Sequence, residues 1–223
     1  MNKADFLQNI RTRLGRSESD AIAPYPKGIP EGSCDSADSP DEWLRMYKEN
    51  LEAVHGEVFT AKQAHEVQHF LKMIIERHGA QSLIRWDDEE LAKLNIDEAA
   101  AQTKTKMYIW NGQAAKEANI AIAKHADIGI TSADFAIADT GTAVLIYNEK
   151  KGRSVSLLPP VHVIIFKQEQ LVFRMGDIFP RLREKDFSTL HFLTGPSKSA
   201  DIELQMTTGV HGPKHVYAIV QAE

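Results

Sequence analysis

Side chains able to do chemistry gather in three polar, glycine-punctuated stretches of this chain. They are Gly129-Ile-Thr-Ser-Ala-Asp-Phe-Ala-Ile-Ala-Asp-Thr-Gly-Thr142, Thr194-Gly-Pro-Ser-Lys-Ser-Ala-Asp-Ile-Glu203 and Gly209-Val-His-Gly-Pro213. Each lies beside an apolar run that reads as a strand, and small residues, hydroxyls and carboxylates at strand ends are how α/β domains build ligand pockets. A proton acceptor is offered by Asp139, by His211 between its two glycines, or by Glu203. An anion site is offered by Thr140, Gly141 and Thr142, or by Ser197, Lys198 and Ser199, where free backbone N–H groups after a Gly-Pro turn could meet a carboxylate. The plainer reading of the second set is a helix start, capped by Ser197 or Ser199 with Asp201 and Glu203 complementing the dipole. His162, at the entry to the most apolar strand, is a further ligand candidate or a structural histidine.

Two sharper-looking motifs carry less. His65-Glu66-Val67-Gln68-His69 matches the zinc-protease pattern, but the apolar stripe Val67, Phe70, Leu71, Ile74 and Ile75 puts both imidazoles on the opposite, solvent side of the helix. Asp139-Thr140-Gly141 matches the aspartic-protease triplet, yet that chemistry needs two carboxylates sharing a proton and the triplet occurs once. Its plain reading is a hairpin turn. No G-x-G-x-x-G follows a strand, so the dinucleotide fingerprint is missing.

These stretches need a scaffold, and 223 residues suffice for one large domain or a domain plus an arm. A net charge of −5 gives no reason to expect nucleic acid or an anionic membrane as partner. The longest apolar run, near Val161–Phe166, is too short to span a bilayer and no leader peptide is evident, so the expected compartment is the cytoplasm. The single cysteine, Cys34, cannot hold an iron–sulfur cluster, which usually takes four. The pattern predicts an amphipathic helix over 4–15 carrying Phe6, Leu7, Ile10 and Leu14, then a Pro/Gly-rich linker. Together these make an arm over 1–39 that docks on its own body or on a partner, and the body is 40–223. There, Ser39-Pro40-Asp41-Glu42 starts one helix, and Thr60-Ala-Lys-Gln63 a second that runs to Gly79. Strands are predicted at 82–86, 106–110, 127–131, 135–138, 143–147, 155–158, 161–167, 189–194 and 216–221. Helices are predicted at 114–124, near 178–184 and from about Ser199. Such alternation implies a mixed α/β fold whose sheet is largely parallel and flanked by helices, with an antiparallel insertion in the middle.

Taken in order, Ser132–Thr142, Leu158-Pro-Pro-Val-His162, Gly195–Glu203 and Gly209–Pro213, with the opening Phe6-Leu-Gln-Asn-Ile-Arg-Thr-Arg-Leu-Gly-Arg16, resemble the lactate-utilisation protein C family, built on a LUD domain. The resemblance implies a fold similar to the sugar-phosphate isomerase and CoA-transferase group. It implies a subunit required for L-lactate utilisation, oxidising L-lactate to pyruvate beside two iron–sulfur partner proteins, with no cofactor bound by this chain. A 2-hydroxy acid is the implied small molecule, and a homo-oligomer is compatible. Two other readings stand beside it: a stand-alone enzyme on a phosphorylated or CoA-type substrate, and a non-catalytic assembly subunit.

Overall fold

The computed structural model describes residues 3–15, 39–182, 187, 189–200, 206–208 and 211–222. The chain divides into two units, Met1–Asp35 and Ser36–Glu223. The first contributes α1 (Lys3–Arg13); its Phe6, Leu7 and Ile10, and Leu14 just after it, are all exposed.

The second unit runs α2 (Pro40–Ala53), β1 (Glu57–Ala61), α3 (Ala64–His78), β2 (Ser82–Arg85), α4 (Glu89–Lys93), α5 (Ile96–Gln102), β3 (Lys106–Ile109), α6 (Lys116–His125) and β4 (Ile128–Ser132). It continues through β5 (Phe135–Ile137), β6 (Thr142–Tyr147), α7 (Ser154–Leu157), β7 (Val161–Lys167), β8 (Leu171–Val172) and α8 (Phe179–Leu182). It closes with β9 (Thr189–Leu193), β10 (Lys198–Ala200), β11 (Met206–Thr208) and β12 (His215–Gln221).

Six strands form one sheet in the order β1-β12-β7-β4-β2-β3, every neighbouring pair parallel. Parallel strands buried on both faces read as continuous apolar runs, and Val163–Phe166 and Val216–Val220 do so. A second sheet, β8-β5-β6-β9, is the antiparallel insertion that the strand-rich middle predicts, with one parallel pair, β5 with β8. Its inner face (Ala136, Ala143, Leu145, Leu171) joins the main core, and its outer face forms a smaller core with Ile178 and Leu182.

Local chemistry explains where the expected elements stand and where they do not. Ser39 caps α2 by accepting the Glu42 N–H at 3.2 Å. Thr60 lies in a strand and not at a helix start. The helix begins at Gln63, where the Glu66 carboxylate reaches back to the Gln63 N–H, because Glu57–Ala61 is taken up as β1, paired along its length with β12 and burying Val58 and Ala61. Residues 155–158 are the one-turn α7 and not a strand. This segment returns the chain to the start of β7 directly over Gly129, where a Cβ would stand 1.9 Å from the Val155 carbonyl oxygen. The helix expected from Ser199 is instead β10, paired antiparallel with β11. Among the described residues no helix starts there.

The Asp139-Thr140-Gly141 triplet is indeed the β5–β6 hairpin connection, a tight 3-10 turn over Ala138–Thr140 closed by Gly141 at φ 62°. A Cβ on Gly141 would lie 2.4 Å from the Leu51 backbone nitrogen of α2, and Asn50 Nδ2 donates to the Ala138 carbonyl at 2.9 Å. Gly141→Ala therefore combines a left-handed backbone with a backbone clash. It is expected to cost about 2–4 kcal/mol and to lower Tm by roughly 5–15 °C. Gly79→Ala, at φ 57° with nothing within 4 Å of the added Cβ, is expected to lose only about 1 kcal/mol in the same thermal melt.

Candidate active site

In a parallel sheet, ligands settle beyond the carboxyl ends of adjacent strands whose onward connections leave in opposite directions. Here that pair is β2 and β4. From β2 the chain goes through α4 and α5 to β3, the edge on one side, and from β4 it goes through the second sheet to β7, on the other. A cavity of about 130 Å³ lies at this point, lined among others by Asp88, Ser132, Asp134, Lys151, Lys167 and Gln170. Lys167 and Gln221 also line a wider groove of about 590 Å³ beside it.

Each polar group is placed by a specific local device. Asp88 caps α4, its Oδ1 accepting the Glu90 N–H at 2.8 Å. Ser132 ends β4 and donates its hydroxyl to Asp88 Oδ2 at 2.8 Å. Asp134 follows, with Oδ2 fixed by the Ile146 N–H of β6 at 2.9 Å. Lys151 comes from the loop after β6, which two indoles clamp. Trp86 Nε1 donates to the Gly152 carbonyl at 2.9 Å and Trp110 Nε1 to the Glu149 carbonyl at 2.9 Å. Gly152 lies so close under Trp110 that a Cβ would meet the ring at 2.1 Å.

The clamped loop aims Lys151 Nζ at Asp88 Oδ2 (2.8 Å), with Asp134 Oδ1 at 3.8 Å, Ser132 Oγ at 3.4 Å and the Trp86 ring centroid at 5.3 Å. Burial pushes the Asp88 carboxyl up. The Lys151 hydrogen bond and charge, the Ser132 hydroxyl and the Glu90 N–H together outweigh it, so Asp88 titrates below the usual carboxylate range. At the mouth, Lys167 Nζ meets Glu90 Oε2 at 2.9 Å. The arrangement presents ammonium groups to a small carboxylate, a serine hydroxyl, and an Asp134 Oδ1 that lies 3.8 Å from Lys151 Nζ.

The side chains marked from the sequence sit mostly elsewhere. Thr140, Thr142 and Thr194 form a hydroxyl chain, 2.8 and 2.6 Å, across the hairpin tip by Gly141. Asp139 is exposed there; partial burial and the Asp177 charge raise its carboxyl, against Arg174 and the Thr140 hydroxyl. Ser197 N–H donates to the Pro213 carbonyl at 2.9 Å, which brings the second and third polar stretches together. Lys198 and His211 are exposed. Ser199 lies in β10, while Asp201 and Glu203 fall outside the described residues. None of Asp139, Thr140, Gly141, Thr142, His162, Ser197, Lys198 or His211 lines either cavity. From the opening stretch, Ser132, Ala133 and Asp134 do. Asp88 and Lys151 escaped the sequence reading. The one signal for Asp88 was the carboxylate run Asp87-Asp88-Glu89-Glu90 directly after a strand. His65 and His69 are exposed, and Glu66 is spent on its helix start.

His162 is buried, its Nε2 against Thr131 Oγ1 at 2.9 Å and its Nδ1 without a partner among the described residues. Burial, with the His191 charge adding, holds it down at about 3. Separately, Tyr147 Oη joins Ser156 Oγ at 2.9 Å and His191 Nδ1 at 3.0 Å.

Residues 44–220 match the LUD domain family. The lactate utilization protein C of Oceanobacillus iheyensis is 34% identical over 230 residues, covering 98% of this chain and 97% of that protein. Its counterpart from Anoxybacillus flavithermus is 32% identical, covering 96% and 97%. Among solved structures, a DUF162 family protein from Deinococcus radiodurans aligns with TM-score 0.58 at 19% identity, over 83% of this chain and 99% of that one, a likeness of fold.

Lys151→Met leaves Asp88 buried and unpaired and is expected to cost about 3–5 kcal/mol in urea denaturation, most of it regained in Lys151→Met/Asp88→Asn. Asp88 is depressed in the fold, so its contribution is present above the unfolded value near ~3.9 and is lost as pH falls through the folded one. The gap between wild type and Lys151→Met therefore narrows over that acid range. His162 behaves differently: the unfolded chain takes its proton at about 6.5 and the native one only at about 3. Stability thus falls from pH ~6.5 downward by up to ~1.4 kcal/mol per unit. His162→Gln is expected to flatten that slope.

Proposed function

The chain belongs to the LUD domain family, and from that premise we propose that it is a component of L-lactate utilisation, acting beside two iron–sulfur partner chains as L-lactate is oxidised to pyruvate. The names of its relatives support the pathway. The observation that carries the site is the half-buried Lys151 ammonium, held at the β2–β4 divergence with one serine and two carboxylates around it.

In this reading Lys151 takes the lactate carboxylate, exchanging its weaker 3.8 Å partner Asp134 for the ligand while Asp88 stays as counter-ion. Lys167, paired to Glu90 at the mouth, supplies the second cation. The freed Asp134 Oδ1 accepts the hydroxyl proton as the C2–H bond breaks. The balance is lactate to pyruvate plus two protons and two electrons. One proton goes to Asp134 and the other to solvent, and the electrons leave to iron–sulfur acceptors on the partner chains. With one cysteine, this chain does not fit a cysteine-ligated cluster of its own. Its residues bind, orient and deprotonate. The exposed polar loops around Asp139, Thr140, Lys198 and His211 are left to face the partner chains.

Deleting the gene in a strain without a paralogue is expected to abolish growth on L-lactate as sole carbon source, and unchanged growth would sink the reading. Complementation with Asp134→Asn, which keeps the acceptor for the Ile146 N–H, is expected to restore the protein but not growth. L-lactate-dependent dye reduction by the reconstituted complex is then expected to fall about 10²–10⁴-fold in kcat.

A further inference from the structure

The cavity at the β2–β4 divergence has two unlike halves. Lys151, Asp88, Ser132 and Asp134 make the charged half. The other half is hydrocarbon: Leu91, Leu94, Ala133, Ile165 and Phe166, all buried. One short helix contributes to both. Asp88, Leu91 and Leu94 recur every third residue from the N-cap to the C-cap of α4, a spacing that keeps side chains on one helix face, and that face lines the cavity. The same helix thus carries the counter-ion of Lys151 at its start and an apolar wall at its end.

That wall is held from behind. Leu91, Leu94, Ile165 and Phe166 all belong to the main core. The Leu94 carbonyl accepts from Gln68 Nε2 of α3 at 3.0 Å. α5, which follows directly, is tied to the end of β2 by Arg85, whose Nε and Nη2 donate to the two Asp97 carboxylate oxygens at 2.8 Å each. A wall packed in this way does not retreat to admit a larger group. The space itself is about 130 Å³, room for roughly four waters at ~30 Å³ each. At the mouth stands the Lys167–Glu90 ion pair, where an alkyl group gains no apolar contact. With an acid's carboxylate on Lys151 and its hydroxyl on Asp134, the remaining substituent on C2 is left to the hydrocarbon half. We propose that Leu91 and Leu94 set the specificity of this site, receiving the C2 substituent of a 2-hydroxy acid and limiting it to a methyl group. The inference rests on the reading of the cavity as a lactate site and adds to it the two residues that select chain length.

Titration calorimetry of the full chain, alone and in the reconstituted complex, with L-lactate, L-2-hydroxybutyrate and L-2-hydroxyvalerate reads the proposal. Wild type is expected to bind L-lactate about 10–100-fold more tightly than L-2-hydroxyvalerate. Leu94→Ala is expected to bring the two within about threefold or to reverse their order, and Leu91→Ala to move the ratio the same way. Leu94→Met, which conserves volume, is expected to keep the wild-type order. Both leucines also belong to the core, so each variant is first required to melt cooperatively. Leu94→Val, a milder truncation, keeps the test open if the alanine variants do not fold, and is expected to shift the ratio about threefold or more. A wild type that binds the longer acids as tightly as L-lactate overturns the proposal. So does a preference for L-lactate that no folded truncation of Leu91 or Leu94 changes. In both cases the lactate reading stands. If no 2-hydroxy acid binds to the chain or to the complex, the lactate reading falls, and this proposal with it.

Discussion

The structure depends on one constraint of parallel pairing. Parallel neighbours cannot be joined by a tight turn, so each strand must leave the sheet at its carboxyl end and return at the other. With six parallel strands in the order β1-β12-β7-β4-β2-β3, β2 and β4 send their chains to opposite sides. Nothing in the backbone fills the gap between those departures. Whatever lies there is set by the first few residues after each strand: Trp86 to Asp88 on one side, Ser132 to Asp134 on the other. That is why a hydroxyl and two carboxylates meet in so small a volume although Asp88 is 44 positions from Ser132 in the chain.

Such a group of acids is costly to bury, and the cation that answers it has to be held as firmly as they are. Lys151 is on a loop, normally the least constrained part of a fold. The two indole N–H groups of Trp86 and Trp110 remove that freedom by capturing the carbonyls of Gly152 and Glu149. Asn148 Oδ1 accepts the N–H groups of Lys150 and Lys151 at 2.9 and 3.0 Å and tightens the turn between them. The glycine is needed because Trp110 occupies the space of a side chain. Two tryptophans that contribute to the main core thus also carry the electrostatics of the cavity.

Strands and long helices were legible because their period survives in the sequence. Val161–Phe166 is apolar except for His162, and Val67, Leu71, Ile74 and Ile75 recur at helical spacing and are buried together. Short elements were not legible. α4, α5 and α7 have seven residues or fewer, too few for a period to declare itself, and their form is imposed by the connection they make. β1 was hidden by the helix signal of Gln63 and Glu66 immediately after it. The site was half legible for a related reason. Ser132 and Asp134 stand in a stretch whose composition looks chemical, whereas Lys151 stands in Asn148-Glu-Lys-Lys-Gly152, which has the composition of any solvated turn. Its importance arises only from Trp86 and Trp110, both far away in the sequence.

The stretch Gly129–Thr142 therefore has two ends with different work. Its first part, through Asp134, furnishes the cavity at the carboxyl edge of the main sheet. Its last part, Asp139–Thr142, is carried away by β5 to a hairpin tip seated on Asn50 and Leu51 of α2. α2 itself begins beside the wider groove, where Asp41 Oδ1 accepts from Gln168 Nε2 at 2.9 Å. The cavity and the hairpin tip are thus linked twice, once along β5 and once along α2, by elements too well packed to deform gradually. The rigid hairpin tip then presents Thr140 and Asp139 at a fixed position relative to the cavity. On the proposed reading, in which electrons pass to a partner chain, the fixed relation between the cavity and this exposed polar surface presents both to that partner at once.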